Sequence, residues 1–119
     1  MVPRVLVVQP REALAHATGR MLQGAGFEPT LALDGDVAVR RAVTDPPAAV
    51  LVDLTLPVLD GWYVLSALGA RGVRPRLVAY VPPGEAARAL VLGAEACVHD
   101  RGAVVAALRR VTADALARH

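Results

Sequence analysis

Val50-Leu51-Val52-Asp53-Leu54-Thr55-Leu56-Pro57-Val58-Leu59-Asp60-Gly61-Trp62 is the stretch that decides the fold class. It opens with three apolar side chains at consecutive positions. A strand with one wet face alternates apolar and polar residues, so an unbroken apolar run belongs to a strand covered on both faces, as in a parallel sheet between helices. Asp53 ends the run, and an acidic residue there is expected to point into a crevice beyond the strand end. Pro57 then fixes one backbone angle, and Asp60-Gly61 supplies a turn that starts the next helix.

The same alternation extends in both directions. Apolar runs stand at Val5 to Val8, Thr30 to Leu33, Val50 to Asp53, Leu77 to Val81 and Ala96 to His99. Between them, apolar residues recur at helical spacing over Ala13 to Leu22, Val37 to Val43, Trp62 to Leu68, Ala86 to Leu92 and Val104 to Leu116. Gly24 and Gly26, Pro46-Pro47, Gly69 and Gly93 punctuate the boundaries. Five strand-then-helix units predict a single doubly wound (βα)5 domain of the α/β class, with a five-stranded parallel, flavodoxin-like sheet. Ligands of such sheets bind beyond the carboxyl ends of the strands. The residues to weigh are therefore Gln9, Pro10 and Arg11, then Asp53 and Leu54, then Tyr80 to Pro82, and then His99 to Arg101.

Composition narrows the function classes. The chain has 119 residues and is 55% apolar, which suits one core and predicts one domain over residues 1–119. Only 3% is aromatic, so the core is expected to be built of Val, Leu and Ala. All 13 basic side chains are Arg, yet the net charge is only +2 and no basic run exceeds two residues. A phosphate-binding face needs clustered charge, so direct nucleic-acid binding is not expected. Cys97 is alone, which excludes an internal disulfide and suggests a buried structural thiol. The start lacks the apolar run of a signal peptide, and no stretch of about 18 uninterrupted apolar residues occurs, so a cytoplasmic, membrane-free protein is expected.

With Asp at a strand end, Pro57 four residues later and Asp60-Gly61 beyond it, the chain resembles the receiver domain of bacterial response regulators, the CheY-like family. The resemblance covers nearly the whole chain, with Val5 to Val8 similar to the first strand and Gly93-Ala94-Glu95 to the turn before the fifth. It implies that Asp53 is the phosphoacceptor candidate. It also implies a Mg²⁺ held by an acidic pair after the first strand, a Ser or Thr after the fourth, and a Lys-Pro pair after the fifth.

At those positions this chain departs from the family. The acidic pair matches Gln9 and Pro10, the hydroxyl residue matches Tyr80, the Lys matches Asp100 and the following Pro matches Arg101. Mg²⁺ prefers hard oxygen ligands, so its binding should be weak or lost, and no other cofactor is expected. Tyr80 is expected to occupy space that a phosphoryl group would need. Arg11 and Arg101 are candidate compensating cations, since Arg binds carboxylates bidentately. The bland alternative makes them surface residues, with Arg101 paired to Asp100 or Glu95. A shift of one residue would instead bring Arg101 to the Lys position.

Other chemistries are weaker. His16, His99 and His119 share no metal-ligand spacing, and neither a dinucleotide Gly pattern nor a nucleophile elbow is present. The leading expectation is a non-enzymatic, atypical receiver acting by protein contact. A conventional Asp53 phosphoacceptor and a flavodoxin-like small-molecule binder stay open as alternatives. Expected partners are a sensor kinase, a phosphotransfer protein or an output protein. The resemblance adds a homodimer through the fourth helix, last strand and fifth helix.

Overall fold

The computed structural model describes residues 2–55, 59–71 and 76–117. Five parallel strands form one sheet: β1 (Arg4–Val8), β2 (Glu28–Ala32), β3 (Ala49–Asp53), β4 (Arg76–Tyr80) and β5 (Ala96–Val98), in the spatial order β2-β1-β3-β4-β5. They alternate with α1 (Glu12–Gly24), α2 (Gly35–Thr44), α3 (Leu59–Ala70), α4 (Ala86–Val91) and α5 (Val104–Ala117), and one 3₁₀ turn, Arg101–Ala103, precedes α5. This is the flavodoxin-like α/β architecture expected from the alternation of runs. Among the described residues all peptide bonds are trans, and no helix is long and apolar enough to cross a membrane.

Two apolar layers explain why the central runs are apolar at every position. Leu6, Val8, Val50, Val52, Leu77 and Ala79 face Ala38, Ala42, Val64, Leu65, Leu68 and Ala89 of α2, α3 and α4. Val5, Val7, Ala49, Leu51, Val78 and Val98 face Leu22 of α1 and Val104, Leu108 and Val111 of α5. Successive strand residues point to opposite faces, so each central strand must be apolar on both.

At the edges the expectations need adjusting. The second strand starts at Glu28, two residues before the expected Thr30, and Leu33 lies beyond it, 42% exposed. Because β2 is an edge strand, it tolerates Pro29, whose missing N–H would break a central ladder. Gly61 lies in the first turn of α3 instead of in a turn ahead of it. A Cβ on Gly61 would lie 2.7 Å from Leu54 Cδ2 and 3.1 Å from the Asp53 carbonyl, so glycine lets α3 start close against the end of β3. Gly69 is also helical, and a Cβ there would overlap the Leu92 carbonyl oxygen in the turn between α4 and β5. Gly93 in that same turn has φ +121°, a backbone region that favours glycine.

Candidate functional site

The strand order reverses between β1 and β3, and a crevice opens beyond their carboxyl ends. Gln9 follows β1, Asp53 ends β3, and Tyr80 is the register partner of Asp53 on β4. Counting alternate residues back along each strand puts Gln9, Asp53 and Tyr80 on the α1/α5 face, with Val7, Leu51 and Val78. Together with Arg101, Thr18, Met21 and Val104 they line a crevice of about 20 Å³, room for about one water.

The Asp53 carboxylate is engaged by three neutral donors. Gln9 Nε2 donates to its Oδ2 at 2.5 Å. Thr55 donates to Oδ1 twice, from its backbone N–H at 2.8 Å and its hydroxyl at 2.5 Å. Gln9 is only 3% exposed, and its Oε1 accepts the Arg11 backbone N–H at 3.0 Å. Both ends of a buried amide are thereby satisfied, as burial requires. Thr55 was not among the sequence candidates. The only signal was weak, since Asp can accept the N–H two residues on in an Asx turn at any non-proline position.

Asp100 is committed to its own turn. Its side chain accepts the Ala103 N–H at 3.0 Å and caps the 3₁₀ turn. Arg101, the next residue, is exposed and is among the residues lining the crevice. Glu95, just ahead of β5, is bound by Arg76 of β4, and no ion pair of Arg101 occurs among the described residues. The polar contacts of Asp100 run to the turn backbone and leave no pairing with Arg101. Arg11 is exposed and brings its backbone N–H, with no side-chain contact to Asp53 among the described residues. Pro10 sits in an exposed bend, Tyr80 is half-buried against the α5 layer, and Gly61 backs the Asp53 carbonyl. Pro57 lies outside the described residues, as does the side chain of Asp60.

The remaining polar candidates lie apart from the crevice. His16 sits beside Glu12 at 3.7 Å, and His99 Nδ1 lies 3.1 Å from the Val81 carbonyl. Cys97 is half-buried, less enclosed than expected, with Sγ 3.7 Å from the Ala86 carbonyl, and burial pushes its thiol pKa up. Trp62 is half-buried between α3 and α4, with the Arg88 guanidinium 4.1 Å from its ring centroid.

Comparison with known proteins gives this geometry a family. No family model matches the chain. The transcriptional regulatory protein PrrA of Mycobacterium tuberculosis is 43% identical over 68 residues, which are 57% of this chain and 29% of that protein. A protein-glutamate methylesterase/protein-glutamine glutaminase of Anaeromyxobacter dehalogenans is 38% identical over 95 residues, 76% of this chain and 28% of that protein. The chain thus spans less than a third of the length of either curated relative. The signal receiver domain of a response regulator from Bermanella marisrubri superposes with a TM-score of 0.80 at 25% identity, covering 93% of this chain and 98% of that one.

The chain is a CheY-like receiver domain.

Receivers imply a Mg²⁺, and the donors around Asp53 are a poor match to it. The ion demands near-octahedral oxygen ligation, usually with carboxylates in the set. Here Gln9 turns its amide nitrogen toward Asp53 and commits its oxygen to Arg11. Pro10 has no side-chain donor, and no group of three or more His, Cys, Asp or Glu positioned for a metal occurs among the described residues. Chemically, the receiver's crevice holds the Asp53 carboxylate braced by neutral donors, with Arg101 among its lining residues.

Proposed function

We propose that this receiver is a non-enzymatic contact module of a two-component or phosphorelay system, whose output runs through protein contact and not through Mg²⁺-dependent phosphorylation of Asp53. The observation that carries this reading is the Asp53 carboxylate itself. Three of its roughly four lone-pair sites are filled by Gln9 and Thr55. A phosphoryl group arriving there would meet no cluster of metal-ligating side chains among the described residues.

The partner is a sensor kinase, a phosphotransfer protein or an output protein. The proposed contact face runs over α4, β5 and α5, and it also suits a second copy of the chain. Support comes from Leu90 and Val91 of α4, which are 50% and 85% exposed, apolar side chains without an intramolecular layer above them.

Titration with MgCl₂ by calorimetry, followed by incubation with acetyl phosphate and mass measurement, tests the reading. Absence of saturable Mg²⁺ heat together with an unchanged mass is the expected result. A second reading, phosphorylation of Asp53 assisted by a guanidinium, is favoured by Arg101 lining the same crevice as Asp53. A one-phosphoryl mass gain that disappears in both Asp53→Asn and Arg101→Ala would select it and reject the first.

A further inference from the structure

We propose that the Gln9 carboxamide is a built-in neutral replacement for a divalent cation, tying Asp53 to the start of α1 and holding the crevice in one arrangement. The inference rests on the metal-independent reading above and adds the residue that makes it so. Gln9 stands immediately beyond β1, buried to 3% exposure, on the face it shares with Asp53 across the switch point of the sheet. A bridging cation would bring positive charge to the carboxylate while linking it to the chain after β1. The amide does both jobs with its dipole. Its N–H end faces Asp53 Oδ2 at 2.5 Å, and its oxygen takes the Arg11 N–H at 3.0 Å, where α1 begins without a side-chain cap. The tether spans 44 residues of sequence, so it couples the ends of β1 and β3 and the first turn of α1.

Charge determines what this position tolerates. In Gln9→Glu a carboxylate oxygen replaces the donor and faces a second carboxylate, an arrangement that is destabilising unless a cation lies between them. The variant therefore exposes whether the Gln9 position is a cation position.

Thermal unfolding is followed for the wild type, Gln9→Glu, Gln9→Asp and Gln9→Leu, in EDTA and in millimolar MgCl₂ or MnCl₂ at matched ionic strength. Gln9→Glu should melt roughly 5–15 °C below wild type in EDTA and recover at least half of that loss with divalent cation. Gln9→Leu should melt lower in both buffers with no cation response, and its Arg11 amide should exchange at least about tenfold faster than in wild type. If Gln9→Glu does not fold in EDTA, Gln9→Asp carries the same expectation, its shorter side chain holding the carboxylates farther apart. Lack of a cation-dependent gain in both acidic variants overturns the proposal, as does an unchanged Arg11 amide in Gln9→Leu. A saturable Mg²⁺ gain in the wild type instead overturns the metal-independent reading, while the acidic variants still judge the role of Gln9.

Discussion

Replacing Gly69 by Ala should destabilise the receiver although it improves an α-helix. In an unobstructed helix the change is worth about 1 kcal/mol in favour of Ala, through reduced backbone entropy in the unfolded chain. At Gly69 the new methyl would overlap the Leu92 carbonyl oxygen and lie 3.3 Å from the Leu92 carbonyl carbon and 3.7 Å from Gly93 Cα. All three are backbone atoms of the turn into β5, so no rotamer change relieves the overlap. Overpacking of this kind costs about 3 kcal/mol at its upper range, which leaves a net loss of about 2 kcal/mol. For a domain of this size the unfolding entropy is about 0.25 kcal/mol/K, so the melting temperature should fall by about 8 °C. Gly24→Ala is the matched control, because α1 presents nothing within 4 Å of a Cβ there. It should raise the melting temperature by about 4 °C through the helix-propensity gain alone. Urea unfolding of both variants with an unchanged m-value would assign the effects to the native state. A Gly69→Ala variant as stable as the wild type, or a Gly24→Ala variant less stable, would refute the reasoning.

Three other outcomes are expected. Thr55→Val removes the hydroxyl donated to Asp53 Oδ1 while keeping the side-chain shape, and should cost about 1–2 kcal/mol by urea unfolding. The Cys97 thiol, pushed up by burial, should react with iodoacetamide at pH 8 more slowly than a free thiol, and the two rates should converge in denaturant. Asp45 is held below the usual carboxylate range by the Arg4 guanidinium, first through their hydrogen bond at 2.7 Å and then by charge. Its folded pKa is the lower one, so the stability it contributes is present above the ordinary carboxylate pKa and is lost as pH falls through the folded value. Asp45→Asn should flatten that acid limb of a stability-against-pH curve and leave the alkaline limb as it was.

Much of this receiver was legible before any coordinates. The apolar runs around Val7, Val50 and Val78 could only be strands covered twice, and the position of Asp53 after Val50-Leu51-Val52 put its carboxylate at a sheet end. These are local facts, carried by a period of two against 3.6 and by which residues interrupt it. The edge was harder to read. The β2 pattern blurs at Glu28-Pro29 because an edge strand buries less and tolerates proline.

The composition of the crevice was partly legible as well. Gln9, Tyr80 and Asp53 are legible as strand-end residues, since a strand end is defined by its own run. What each one touches depends on residues far away in sequence. Asp100 and Arg101 are adjacent and both polar, and only the 3₁₀ turn decides that Asp100 caps Ala103 while Arg101 lines the crevice. Glu95 was an open partner for Arg101 until the β4 and β5 register brought Arg76 to it.

From sequence alone follow the α/β alternation, the central parallel strands and the carboxylate at the end of β3, because each rests on spacing along one short segment. The tertiary structure decided that Gln9 closes over Asp53, that Asp100 caps a turn while Arg101 lines the crevice, and that Gly69 must be glycine. Each of those depends on a distance between segments separated by tens of residues or on the path of a turn. Such distances are set only when the sheet register and both helix layers have packed.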